Sequence, residues 1–371
     1  MFMDNFKIAY SDLKDAAEAV KSIKGSFSDI DSALVLFFVS PSYPVDLISK
    51  EMTKAFVGVH TVGCTTAGEM ASGKMGKDSI VAMAFGKEVF KHLAIETLEN
   101  IHTDDAVVEK AFKSFESSLG GQSMKSLDAS EYVGMVIFDG LSGCEEKIND
   151  KLGNLTNINF VGGSAGDSFA FKCTNIFVDG KIYTTNAAVL LLMEPTNGFE
   201  ILKTQSFKIS DKKLTPTKVN EEKRMVIEFN GKPATQAYAQ MLDIPEEKFL
   251  KNIGEYPVGL VLNELNFFVR SPSVNEGTSM CFFCSVKEEQ ELAILIPQDI
   301  VAGTSADLKK CGDVKAVVDF NCCLRFLELE RKNQLKAYSD IFKDIPAIGF
   351  STYGESYIGH INQTSTMLLF K

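Results

Sequence analysis

Three short stretches decide how this chain is read: Val62-Gly63-Cys64-Thr65-Thr66-Ala67-Gly68-Glu69, Val161-Gly162-Gly163-Ser164-Ala165-Gly166-Asp167 and Ile348-Gly349-Phe350-Ser351-Thr352-Tyr353-Gly354-Glu355. Each passes from an apolar residue through a glycine and small hydroxyl residues to a second glycine and an acid. Working outward, the same order of strand, loop, helix and strand precedes each one. Ala33–Val39 reads as a buried strand, Ser40-Pro41-Ser42-Tyr43-Pro44 as a turn, and Leu47–Phe56 as a helix with Ile48, Met52, Ala55 and Phe56 on one face. Phe56–Val62 then leads into the first junction. The second copy has a strand at Tyr132–Phe138, a helix carrying Ile148 and Leu152, and a strand at Ile158–Val161. In the third, the strand Val314–Phe320, a helix from Leu324 to about Ile341 and the strand Ala347–Phe350 follow the same sequence of elements. A spacing of roughly 100 residues is far beyond solenoid periods, so a duplicated β-α-β-loop-β-β unit is expected rather than an array.

The fold class that follows is α/β, with α+β as the alternative: mixed sheets flanked by helices, in two domains. The boundary is expected near Pro195-Thr196-Asn197-Gly198, giving domains 1–197 and 198–371, with the region between the second and third copies rich in strands. Asp179-Gly180 between apolar strands predicts a hairpin, as does Gly86-Lys87-Glu88 between Ser79–Phe85 and Val89–Leu98. The last strands are expected at Ser356–Ile361 and Ser365–Phe370.

Of the 371 residues, 45% are hydrophobic and 23% charged, which excludes disordered and low-complexity classes. A net charge of −11 with scattered basic residues removes the electrostatic footprint of a nucleic-acid binder. No apolar run approaches the length of a membrane span, and the acidic N-terminus lacks the pattern of a signal peptide. Eight cysteines, several within apolar runs, suit buried thiols in a reducing compartment. The expectation is a cytoplasmic protein with no nucleic-acid partner and no membrane insertion.

The glycine-flanked junctions are the candidate ligand site. Glycines there either supply positive φ in tight connections or thin the wall so that a small polar ligand approaches backbone N–H groups and hydroxyls. The candidates are Gly63, Cys64, Thr65, Thr66, Gly162, Gly163 and Ser164, with Glu69, Asp167 and Glu355 placed to receive an ammonium group or to cap nearby N–H groups. Arg325, at the first turn of a helix where the macrodipole disfavours a cation, suits a carboxylate clamp or an ion pair with Glu355. His360 sits among polar residues and is the better functional histidine; His60, in an apolar run, reads as a core residue. No phosphate-binding loop is present. Cys64 or Ser164 as a hydrolytic nucleophile is an alternative reading, weakened by the strand that follows Ser164 where an elbow needs a helix. Cys281-Phe282-Phe283-Cys284 has no second hook, so buried thiols are expected there and no metal.

Together these motifs resemble the FIST family. The resemblance rests on Val62–Met70 and Phe160–Phe169, then Asn230-Gly231-Lys232-Pro233-Ala234, Tyr256-Pro257-Val258-Gly259, Arg270, Asn321-Cys322-Cys323-Leu324-Arg325, Gly349–Glu355 and His360–Thr364. It spans nearly the whole chain. It implies an N-terminal and a C-terminal FIST region and a sensory module, not an enzyme, that binds a small ligand such as an amino acid. Some relatives look like haem-containing nitric-oxide sensors acting on a histidine kinase, so haem is the alternative cofactor and His360 its implied ligand. Output is expected to pass to a separate partner protein.

Overall fold

The structure, a computed structural model, describes residues 5–263 and 266–371; of the N-terminal segment read above, Met1–Asp4 lie outside the described residues. Three six-stranded mixed sheets repeat one pattern. The first runs Phe6–Ser11, Ile80–Gly86, Ser32–Val39, His60–Thr65, with Ser32–Val39 and His60–Thr65 parallel. The second runs Phe90–Glu99, Ala187–Pro195, Val133–Phe138, Phe160–Ser164, and the third Phe199–Gln205, Thr364–Phe370, Ala316–Cys322, Ala347–Thr352, each again with one parallel pair. The chain is therefore mixed α/β, built on a repeated unit.

Each sheet is completed by a hairpin from a different unit. Ile176–Val178 and Lys181–Tyr183 of the second unit extend the first sheet, and Glu355–Tyr357 and His360–Ile361 of the third extend the second. Glu69–Ala71 and Lys74–Gly76 of the first unit close the ring on the third sheet. The Asp179-Gly180 turn forms as expected, with φ of 47° and 85°.

Alternation along the strands sorts side chains between two layers. Leu34, Leu36 and Phe38 point to a core shared by all three sheets with Val133, Met135, Ile137, Val318 and Phe320. Val35, Phe37 and Val39 point the other way, against the helices Ala16–Ser26 and Val45–Ala55. The phenyl rings of Phe38 and Phe350, 4.5 Å apart, join the first unit to the third. The helix Ala16–Ser26 begins where Asp15 accepts from the Glu18 N–H at 2.9 Å, satisfying one otherwise free donor.

Between strand Phe199–Gln205 and helix Ile300–Lys310 of the third unit lies a β-rich insert, residues 207–297, with its own core around Phe229, Tyr238, Phe249 and Met280. Strand Phe199–Gln205 pairs with Thr364–Phe370, so the third unit begins before the insert and resumes after it.

Three expectations are corrected. Ile80–Gly86 and Phe90–Glu99 belong to different sheets: Gly86 (φ −63°, ψ 155°) and Phe90 (φ −120°, ψ 131°) are both extended, so the turn Lys87–Val89 carries the chain onward without reversing it. Ser356–Ile361 is a hairpin, folded back where Ile358 and Gly359 take φ of 54° and 140°. The long helix expected from Leu324 stops at Arg331, and Asn333 (φ 56°) separates it from the short helix Leu335–Ser339. Strand Phe6–Ser11 went unread because its half-buried residues lack a clear period. No helix among the described residues is long and apolar enough to cross a membrane.

Candidate functional site

The three junctions meet and lace together. Gly166 and Ser168 donate to the carbonyls of Thr65 and Thr66 at 2.9 and 3.0 Å. Ala67 donates to Ser351 O and Ser351 to Gly68 O, while Tyr353 donates to Ser164 O and Ser164 to Gly354 O. The N–H donors of Thr65 and Ser164 thus bond protein carbonyls, Thr65 through Asn175 O at 2.9 Å, and the Thr66 hydroxyl donates to Glu69. Cys64, Thr65, Thr66 and Ser164 are all fully buried.

The junction glycines serve close approach of strands. A Cβ on Gly63, Gly162 or Gly349 would lie 2.2, 1.7 or 2.4 Å from the carbonyl oxygen of Phe37, Val136 or Asp319, each its partner on the parallel neighbour. A Cβ on Gly163 would meet Thr352 Oγ1 at 2.6 Å, so this glycine lets the second and third junctions touch.

Two of the three acids are equivalent. Glu69 accepts from the N–H and hydroxyl of Ser79 at 3.1 and 2.8 Å, and Glu355 from those of Thr364 at 3.0 and 2.7 Å. Both clamp a hairpin to the start of the next strand. The other oxygen of Glu355, Oε1, is buried without a hydrogen bond of ordinary geometry and faces the Cys322 thiol. Asp167 differs: it accepts from the N–H groups of Phe171, Lys172 and Cys173 and from the Tyr353 hydroxyl. Burial pushes Glu69 up to about 7 and Glu355 well above the carboxylate range, whereas in Asp167 the four donors overcome the burial and hold the carboxyl low. A carboxyl raised on folding contributes stability below its unfolded value that is lost as pH rises through the folded one. For Glu69 that window runs from 4.5 to about 7. The melting temperature is therefore expected to fall between pH 4.5 and 8, and Glu69→Gln to flatten that fall. An unchanged slope in the variant would remove Glu69 as its source.

A second polar cluster sits where the insert covers the third hairpin. Arg224 of the insert donates to Glu145 at 2.9 Å and to Glu146, both in the first turn of helix Glu145–Leu155, and to Phe283 O at 3.0 Å. Ser285 N–H donates to Glu146 at 2.8 Å, and the Ser164 hydroxyl to Glu145 at 3.1 Å, so the cluster reaches the second junction. The Cys284 thiol donates to Asn362 Oδ1 at 2.7 Å. His360, 4% exposed, lies beside these groups with its Nδ1 unpartnered. Burial lowers the imidazole against the pull of Glu145 and Glu146, with Arg224 and Arg270 reinforcing the burial. Arg270 itself donates to the Ser285 and Val269 carbonyls. The whole run His360–Thr366 is buried despite its polarity.

A FIST N domain matches residues 33–232 and a FIST C domain residues 234–357. The chain belongs to the FIST family. FIST domains are associated with sensing in signal transduction. This FIST chain is also similar to the uncharacterized protein MJ1623 of Methanocaldococcus jannaschii, 23% identical over 331 residues, which cover 83% of this chain and 60% of that relative. The match thus spans about three fifths of the relative's length.

Several expectations drawn from the sequence meet the geometry differently. Arg325, 2% exposed, donates to Asn321 Oδ1 at 2.8 Å, Thr304 Oγ1 at 2.9 Å and Ser206 Oγ at 3.4 Å, and lies over the Tyr338 ring; no ion pair joins it to Glu355. Asp319 accepts from Tyr338 and Ser365 and is pushed up to about 6 by burial, against the lowering by these hydrogen bonds and by Arg325. The surroundings of His360 do not fit a haem. Its ring lies on Gly354, where a Cβ would stand 2.0 Å from Cε1, and charged side chains of three other segments face it. Burial and Glu69 push the Cys64 thiol well above its usual range, and among the described residues no histidine bonds Cys64 or Ser164, so the hydrolase geometry is not assembled. His60, read as a core residue, is exposed and pairs with Asp179 at 2.8 Å. Cys284 is buried and Cys281 half-buried, and the described residues hold no metal-ligating group of His, Cys, Asp and Glu.

Sequence reasoning missed Glu145, Glu146 and Arg224. The chain has only four arginines, and an adjacent acid pair opening a helix in the second repeat is the matching signal. Scarcity and placement together are the signal that would have found them.

Proposed function

We propose that this FIST protein is a cytoplasmic signal-input module that binds a small polar ligand, an amino acid in the simplest case, and passes occupancy to a separate partner such as a histidine kinase. The seam between insert and core carries this reading. There Arg224, Arg270, Glu145, Glu146 and His360 meet from separate segments, with the buried Nδ1 of His360 unpartnered. A polar seam separates at lower cost than an apolar one, so the insert is suited to move relative to the core. A ligand that binds one arrangement better shifts the population toward it. The junctions supply the rigid side of this device, since their donors already bond one another.

Isothermal titration against a panel of the twenty amino acids tests the proposal. Saturable binding by one member, with slower hydrogen exchange across the seam, is the expected result. Absence of heat from every member would refute it.

A further inference from the structure

We propose that the groove between the insert and helix Cys323–Arg331 is the binding site for a zwitterion of amino-acid size with an apolar side chain, an inference that rests on the sensory reading above. The groove holds about 450 Å3, within the range of about 300–1,000 Å3 common for small-molecule sites. Leu324 and Leu327 on the core side and Tyr256 and Pro297 on the insert side form its apolar surface. Leu327 is among the exposed large apolar residues of the chain, so the groove leaves it uncovered.

The rim carries both signs of charge. Arg331 Nη1 donates across the groove to Glu255 Oε1 at 2.7 Å, and Lys332 to Glu328 at 2.6 Å. An exposed pair such as Arg331–Glu255 is weak and readily exchanged. A ligand carboxylate taking Arg331 frees Glu255 to receive the ligand ammonium. The exchange leaves no charge unpaired, which neither a simple acid nor a simple amine achieves. The apolar side chain then covers Leu324 and Leu327.

Gln363 connects the groove to the seam. It lines the groove, takes a left-handed φ of 51°, and donates from Nε2 to Gly254 O of the insert at 3.3 Å. Its neighbour Asn362 accepts from Cys284, and His360 lies two residues further back. A ligand that shifts Gly254–Tyr256 therefore acts, through Gln363, on the turn that follows the strand of the buried histidine. Left-handed conformations in non-glycine residues are concentrated at such clamps.

The test titrates L-leucine, 4-methylpentanoate and isoamylamine into the wild-type protein, Arg331→Ala and Leu327→Glu, with circular dichroism as the control for folding. Both positions are on the surface, so both variants should fold. Leucine should bind the wild-type protein, with each variant and each single-charge analogue at least tenfold weaker. Undiminished leucine binding by both folded variants would move the site elsewhere and leave the sensory reading intact. Equal binding of leucine and either analogue would overturn the zwitterion assignment. If only amino acids with polar or charged side chains bind, the apolar specificity is wrong; if none of the twenty binds, the sensory proposal falls as well.

Discussion

Arg224→Ala is expected to destabilise the protein by about 3–5 kcal/mol, the loss typical of removing one partner from a buried ion pair. Glu145 is 2% exposed, and its contact with Arg224 at 2.9 Å supplies the positive charge that offsets its burial. Glu146 shares that guanidinium and is held below its usual range: burial raises it, and His360, Arg224 and the backbone N–H donors, Ser285 among them, together outweigh the burial. Without Arg224 both carboxylates stay in the seam uncompensated and act on His360, whose titration should move upward. Denaturant unfolding measures the first effect and the imidazole proton resonances the second. Arg224→Lys should recover only part of the loss, because one ammonium cannot serve two carboxylates and the Phe283 carbonyl in the same planar arrangement. A loss below about 1 kcal/mol for Arg224→Ala would mean that water replaces the guanidinium and the pair behaves as an exposed one.

Gly162→Ala is expected to cost at least about 3 kcal/mol, the upper end for overpacked interiors. The new methyl would lie 1.7 Å from Val136 O, on the strand to which Gly162 is paired. Neither atom belongs to a flexible side chain, so the strands themselves must part at the sheet that holds the second junction. Gly25→Ala is the matched control. Gly25 lies in helix Ala16–Ser26 with nothing within 4 Å of its added Cβ, and there alanine should stabilise by roughly 0.5–1 kcal/mol. Comparable melting temperatures for the two variants would refute the close-approach account of the junction glycines.

The repeated unit was legible because its junctions are constrained by contact: only glycine fits at Gly63, Gly162 and Gly349, so the pattern recurs in the letters. The same letters suggested a thin wall open to a ligand, whereas the space is occupied by a neighbouring strand. Hairpin exchange was not legible. Glu69–Ala71 is three residues long, and nothing in its own composition distinguishes pairing with Phe350 from pairing within its unit. His360 stood out through its polar neighbours, and burial of the whole run gives that impression a physical basis. Its charged surroundings come from Glu145, Glu146, Arg224 and Arg270, separated by long stretches of chain that only folding brings together.

During synthesis, Glu69–Gly76 leaves the ribosome long before the strand that pairs with it, Ala347–Thr352, has been made. The nascent first unit must wait with a hairpin unmatched, and the second sheet likewise lacks its edge until Glu355–Tyr357 emerges. A truncated product ending at residue 232, where the FIST N match stops, leaves both positions open. Unpaired strand edges of this kind recruit one another between chains. The third unit thus closes edges that the first two units leave open, and a chain that stops short of it exposes them to pairing between molecules.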